Sequence, residues 1–271
     1  MTQLIDPSKF TSTVGLLRSF FLEKGFLEVH TQNRLSILAA CEDPFNVATY
    51  NYAGQVWPLP QTGQMWLEHE LLSQPSAKGF FCVSTSYRQE PNAIPGRHDI
   101  IFPMFEFEMP GNIDDLKTME YELVDYLGFD KPTEKTYAEW QDYFGITHDL
   151  EMTAQHETEM LKAHGSTMIT EFPEMTSPFW NMSRNGDGTS KKIDVILGGM
   201  ETIGSAERST DIDQMRDTFH TITDGAYSNL LYELFSKDRV EAELEEFLKF
   251  DFFPRVGGGI GMTRMIAALD K

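Results

Sequence analysis

A chain of 271 residues with 22 Lys and Arg against 42 Asp and Glu carries a net charge of −20. That balance excludes a broad nucleic-acid surface, which would neutralise phosphate with Lys and Arg, and leaves room only for a local basic pocket. Apolar residues are 41 % and aromatics 12 % of the chain, enough for a sizeable core in one large or two small domains and too many for disorder. Cys41 and Cys82 are too few for a disulfide framework or a cysteine-built zinc site, so a reducing cytoplasm is the expected compartment. No apolar run approaches the ~20 residues of a membrane span, and "MTQLIDPSKF" has no secretory pattern.

In chain order, "FTSTVGLLRSFFLEKGFLEV" opens on Thr and Ser as candidate caps, repeats apolar residues at Val14, Leu17, Phe20 and Phe21, and closes at Gly25. It predicts a helix and then a strand from Phe26 to His30. "GQMWLEHELLSQ" predicts a second helix, and "GFFCVSTSYR" and "IIFPMFEFE" predict strands. "NIDDLKTMEYELVDYLGF" is amphipathic behind an Asn or Asp cap. "AEWQDYF" and "EMTAQHETEMLKAHG" are further helices, and "KKIDVILGGMETIG" is a hairpin. "TDIDQMRDTF" and "NLLYELFSKDRVEAELEEFLKF" read as helical, and a Gly-rich stretch leads into the helix "TRMIAAL". Repeats, low-complexity tracts and linkers are absent. The order predicts an α+β class, with a mixed, antiparallel-type sheet flanked by helices.

Three constellations carry chemistry. In "SYRQEPNAIPGRHDIIFPMFEFE", strand alternation lets Arg88 and Glu90 share a face of the first strand, and Phe102, Met104, Glu106 and Glu108 share a face of the returning strand. A guanidinium forks onto phosphate and an aromatic stacks on a base, so Arg88 and Phe102 suit a purine nucleotide, with Arg97 and His98 reaching its outer phosphates. The alternative is a solvated strand face with routine ion pairs. In "IDVILGGMETIG", a Gly198-Gly199 turn pairs Leu197 with Met200 and Ile196 with Glu201, which makes Asp194 and Glu201 diagonal neighbours on one face. Two such carboxylates repel unless a cation lies between them. Mg²⁺ carrying phosphates suits the pair, and two exposed acids are the alternative. In "VGGGIGMTRM", glycines permit close backbone approach ahead of a helix. Arg264 in the first helical turn opposes the helix dipole unless a phosphate partners it, and a tight strand-to-helix turn is the alternative.

Taken together and in this order, these segments resemble the catalytic core of the class II aminoacyl-tRNA synthetases over about residues 10 to 270, and the resemblance implies one catalytic domain over residues 1–271. "RSFFLEKGFLEVHTQ" resembles the helix and strand of the dimer interface. "SYRQE…RHDIIFPMFEFE" resembles the Arg-x-Glu strand, loop and aromatic strand, and "GGGIGMTR" resembles G-x-G-x-G-x-x-R. "QTGQMWLEHELL" and "METIGSAER" point to the aspartyl/asparaginyl branch, on its asparaginyl side. The resemblance implies ATP and Mg²⁺ as cofactors. Arg88 would hold the α-phosphate, and Glu90 would lie near the adenine or the substrate amine. Arg97, His98 and Arg264 would hold the outer phosphates, Phe102 and Arg264 would sandwich the adenine, and Asp194 and Glu201 would hold Mg²⁺. Arg208 would read the side-chain carbonyl or carboxylate of the amino acid, Glu68 an amide, Gln64 the amino acid itself and Glu42 its ammonium.

The sequence departs from the family pattern at Gln32, Ile101, Ser205, Arg255 and Thr263, and it contains no recognisable anticodon-binding barrel. The expectation is a homodimeric ligase, with no membrane partner, that activates asparagine or a close analogue as its adenylate. The acyl group would pass to a small molecule or carrier protein, with tRNA bound weakly. The other readings are an ammonia-dependent asparagine synthetase-like ligase acting on aspartate, tRNA aminoacylation, and a non-catalytic regulatory paralogue.

Overall fold

The computed structural model describes residues 4–32, 34–38, 46–89, 94, 99–176 and 179–270. Helix α1 (Pro7–Glu23) starts before the expected Thr and Ser caps. The Asp6 side chain accepts from the backbone N–H groups of Ser8 (2.8 Å) and Lys9 (3.1 Å), and proline sits in the first turn. Asp-Pro is the stronger start because aspartate satisfies orphan donors and proline brings none. Thr11 and Ser12 donate back to the carbonyls of Pro7 and Ser8 instead. Strand β1 (Leu27–Glu28) is shorter than the predicted Phe26 to His30. A hairpin the sequence did not announce follows, β2 (Thr49–Tyr52) and β3 (Gln55–Pro58).

Next come α2 (Gln64–Ser73), β4 (Phe80–Tyr87), β5 (Ile101–Pro110) and α3 (Ile113–Tyr126), the last held by a capping box between Asn112 and Asp115. The chain continues through β6 (Thr133–Thr136), α4 (Tyr137–Phe144), α5 (Ala154–His164), β7 (Thr167–Pro173), β8 (Thr189–Leu197), β9 (Met200–Glu207) and α6 (Ile212–Thr221). The long helical run after it is two helices, α7 (Ala226–Phe235) and α8 (Lys237–Phe247), broken at Ser236 with φ 73°. Strand β10 (Arg255–Gly261) and α9 (Met262–Leu269) close the described chain.

Among the described residues, eight strands form one sheet in the order β1-β4-β5-β10-β9-β8-β7-β6. The edge pairs β1–β4 and β6–β7 are parallel and the internal pairs antiparallel. This is the α+β arrangement the sequence predicts. The glycines of residues 257–261 do serve close backbone approach, in a central strand rather than in the tight strand-to-helix turn that was the alternative. Glycine is poor in strands, but proximity overrides propensity here. A Cβ on Gly258 would lie 2.6 Å from the Ser205 Cβ.

One face of the sheet buries Phe105 and Phe107 of β5, Val195 of β8 and Ile260 of β10 against α1, α3 and α9. The opposite face carries the residues that alternate with these. Along β10 those are Arg255, Gly257, Gly259 and Gly261, and along β5 they are Met104, Glu106 and Glu108. A second apolar cluster joins Met65 of α2 and Trp180 to α6, α7 and α8.

Candidate active site

The glycine face of β10 sets out a row of subsites. At the Gly261 end is a cavity of about 220 Å³ lined by Arg88, Phe102, Glu201, Gly204, Gly259 and Arg264, among others. The sequence expected Arg88, Phe102, Glu201 and Arg264 to meet, and they do. The Arg88 Cζ lies 5.6 Å from the Phe102 ring centroid, and Arg88 Nε is buried with no protein partner among the described residues. Arg264 Nη1 donates to the Glu201 carbonyl at 2.6 Å and stands 3.8 Å from Glu201 Oε2. Glu42, Glu90, Arg97 and His98, also expected here, lie outside the described residues, as does Cys41.

The carboxylate pair forms by a route the sequence half anticipated. Gly198 and Gly199 both have positive φ (59° and 82°), the requirement of the tight hairpin turn, and Leu197 and Ile196 pair with Met200 and Glu201 as expected. A bulge then shifts the register, so that Asp194 faces Gly204. The bulge brings the two acids over one glycine. A Cβ at Gly204 would be 2.8 Å from Glu201 Oε1 and 3.5 Å from Asp194 Oδ1. Asp194 Oδ1 is buried and unpaired among the described residues. Burial raises the Asp194 carboxyl to about 7, opposed by Lys192 and reinforced by Glu201. Among the described residues no cluster of three or more His, Cys, Asp or Glu could hold a metal. Two carboxylates with a free oxygen above a side-chain-less floor suit a cation that completes its shell with phosphate and water.

At the Arg255 end the row becomes a buried polar cluster. Gln64, Glu68 and Arg208 do meet, together with two residues given no role from the sequence, Glu108 and Asn181, and with the departure Arg255. Arg208 Nη2 donates to Gln64 Oε1 at 2.6 Å and to Glu108 Oε2 at 3.2 Å, and its Nε donates to Glu108 Oε1 at 3.3 Å. Arg255 Nη2 and Nε donate to Glu68 Oε2 at 2.7 and 3.2 Å, while Asn181 Nδ2 donates to Glu68 Oε1 at 2.9 Å. Burial raises the Glu108 carboxyl to about 7, against the pull of Arg208.

Residues 8–271 match the family model for "tRNA synthetases class II (D, K and N)". The chain belongs to the class II tRNA synthetases of the D, K and N group. Solved structures agree at the level of fold. Asparaginyl-tRNA synthetase from Pyrococcus horikoshii, complexed with asparaginyl-adenylate, superposes with a TM-score of 0.80 at 18 % identity, over 97 % of this chain and 64 % of that one. The Entamoeba histolytica asparaginyl enzyme in complex with asparaginyl-adenylate gives 0.78 at 18 %, over 97 % and 63 %. The aspartyl enzyme of that organism gives 0.73 at 20 %, over 97 % and 55 %. The chain thus spans less than two thirds of the length of these structures. No curated protein sequence matches it.

Class II tRNA synthetases are ATP-dependent ligases that use Mg²⁺, which fits an open cavity beside a carboxylate pair. Some departures from the family pattern now have positions. Ser205 points into the core, where its hydroxyl donates to Glu120 Oε1 at 2.6 Å. Ile101 is exposed at the start of β5, and Thr263 lines the cavity. One member of the site escaped the sequence reading altogether. Lys192 shares Asp194's side of β8, with Nζ 2.9 Å from Asp194 Oδ2 and 4.1 Å from the Phe172 ring centroid. Strand alternation alone places it there. Glu106 was also passed over. It is fully buried and accepts from Thr62, from the Gly63 N–H and from Ser84, which fixes the start of α2 and hence Gln64.

Proposed function

We propose that this chain activates an amino acid with ATP, forming the aminoacyl-adenylate and pyrophosphate, and passes the acyl group to an acceptor other than tRNA. The observation that carries the proposal is the joining of Arg88, Phe102, Glu201 and Arg264 around one cavity, in line with Gln64, Glu68 and Arg208 along β10.

In this reading a carboxylate oxygen of the amino acid attacks the α-phosphorus. The new P–O bond forms as the bond to the bridging oxygen breaks, and pyrophosphate leaves with both electrons. No side chain need take a proton, so catalysis is alignment and charge neutralisation. Arg88, whose buried Nε has no partner among the described residues, neutralises the α-phosphate oxygens, where charge builds. Phe102 stacks on the adenine, and Arg264 binds the outer phosphates from the first turn of α9. Mg²⁺ held by Asp194 and Glu201 would neutralise charge on the phosphates.

The net charge of −20 opposes a polynucleotide acceptor and supports a small nucleophile or a carrier protein. The exposed Leu22 of α1 and Leu27 of β1 lie in the segment that resembles the family's dimer element, and we take the chain to be a homodimer. A second reading, ligation of ammonia to the side-chain carboxylate of aspartate, gains from one contact. Arg255 neutralises Glu68, which would otherwise repel that carboxylate. The test of the acceptor is charging of total tRNA at low salt beside hydroxylamine trapping of the activated acid, each with and without ammonium. Trapping without comparable tRNA charging is the expected result. Charging as fast as trapping would return the chain to ordinary tRNA aminoacylation, and ammonium-dependent turnover of aspartate would favour the second reading.

A further inference from the structure

The side-chain end of the amino-acid site is filled by the protein itself. Two arginines and two glutamates sit there, a formally neutral set. Glu68, Glu108 and Arg255 are 0 % exposed and Arg208 4 %. Glu68, the group suited to reading a substrate amide, has both oxygens taken, Oε1 by Asn181 and Oε2 by two nitrogens of Arg255. The third Arg255 nitrogen, Nη1, donates to the Ser209 carbonyl at 3.2 Å, and the guanidinium lies 4.9 Å from the Phe252 ring centroid. Arg208, the group suited to reading a substrate carbonyl, already holds a carboxamide oxygen, that of Gln64. The Gln64 amide is itself fixed, donating to the carbonyls of Gly258 (2.9 Å) and Phe107 (3.3 Å). Glu108 closes what remains. Its Oε2 would lie 1.7 Å from a Cβ on Gly257, so the carboxylate rests directly on the strand that floors the site.

Glu68 is 0 % and Arg208 4 % exposed, walled in by these partners, so a substrate amide reaches Glu68 only by moving Arg255 or Asn181, and its carbonyl reaches Arg208 only by moving Gln64 or Glu108. Each displacement leaves a buried polar or charged group without its partner, the arrangement proteins avoid most strongly. For a side-chain carboxylate Arg255 lifts the repulsion of Glu68, but Arg255 is then spent on Glu68 and Arg208 is matched by Glu108, so neither guanidinium is left to hold it. The α-carboxylate and ammonium need none of these groups, since the cavity beside Arg88 is open.

We propose that Arg255 is a specificity-determining residue: by taking Glu68, with Gln64 held on Arg208, it shortens the pocket so that the acid activated here has a small, uncharged side chain of glycine or alanine size. This rests on the adenylation reading above and deepens it. The test measures binding and chemistry separately. Binding is measured by calorimetry with glycyl-, alanyl-, asparaginyl- and aspartyl-sulfamoyl adenosine, stable mimics of the adenylates, and with sulfamoyl adenosine alone. The glycyl or alanyl mimic should bind tightest, with the asparaginyl and aspartyl mimics weaker by about 100-fold, the scale on which a misfitting side chain is rejected. Arg255→His, which frees Glu68, should narrow that gap. Should the variant not fold, the wild-type order decides alone. Asparaginyl or aspartyl mimics binding as tightly as glycyl would overturn the inference, and so would all four binding no better than sulfamoyl adenosine. Pyrophosphate exchange on the same protein separates the two ideas. Exchange with asparagine in preference to glycine and alanine sinks the small pocket and leaves adenylation standing. Tight glycyl-mimic binding without exchange upholds the pocket and sinks adenylation.

Discussion

In the proposed reaction, Arg88 is the side chain on which the chemistry leans most. Removing a preorganised donor aimed at developing charge typically lowers turnover by about 10²–10³-fold. Arg88→Ala should lower pyrophosphate exchange by that order while the melting temperature stays close to wild type, because Arg88 lines the cavity rather than the core. Exchange at the wild-type rate would remove Arg88 from the mechanism. One buried carboxyl gives a pH signature. Glu120, raised to about 8 by burial against the pull of Ser205, keeps a proton in the folded chain that the unfolded chain has released by pH 5–6. The folded state then binds more protons, so stability falls as pH rises through 7 and 8. Thermal melts in chelator should show a lower melting temperature at pH 8.5 than at pH 6, and Glu120→Gln should flatten that slope and stabilise the protein at pH 8.5. An unchanged slope in the variant would assign the effect elsewhere. Strand alternation made Phe102, Asp194 and Glu201 legible in the sequence. The same rule reaches Lys192. It does not reach the pairing of Glu68 with Arg255, because those residues stand 187 positions apart and meet only once α2 docks on β10.

Helices with a strong local start were the easiest elements to read. The Asn112 and Thr136 caps each reciprocate with an acid three residues on, and both helices lie where the pattern puts them. Strands β2, β3, β6 and β7 were not announced. The first three are four residues each, and β6 ("TEKT") has no apolar alternation, so sheet pairing alone defines it. The break between α7 and α8 was missed because serine does not advertise a positive φ. Ser236 holds φ 73° and ψ 141°, a region that costs a non-glycine residue about 1–3 kcal/mol. Ser236→Gly should therefore stabilise the fold by about 1 kcal/mol in urea unfolding, and a destabilised variant would show that the serine side chain matters more than the strain. The exposed leucines around α1 predict association. Light scattering at micromolar concentration should give twice the 31.0 kDa chain mass, and Leu22→Glu should shift it toward the single chain. A wild-type mass of one chain would leave that apolar face without the partner proposed for it.

At the level of the whole molecule, a −20 chain gathers part of its small cation supply along one strand. Arg88 and Arg264 face the cavity, and Arg208 and Arg255 are buried against acids at the other end of β10. That division suits a protein that binds a triphosphate and keeps its own interior neutral. The class II architecture was legible because its motifs are local. The state of the amino-acid pocket was not, because it depends on which of its own side chains pair once folded. The decisive measurement is Mg²⁺-dependent ATP–pyrophosphate exchange with each of the common amino acids in turn. Exchange with a restricted set of amino acids, lost in Arg88→Ala and in the absence of Mg²⁺, is the predicted result. No exchange with any of them, in protein that binds ATP, would contradict adenylation and leave a nucleotide-binding paralogue without this chemistry.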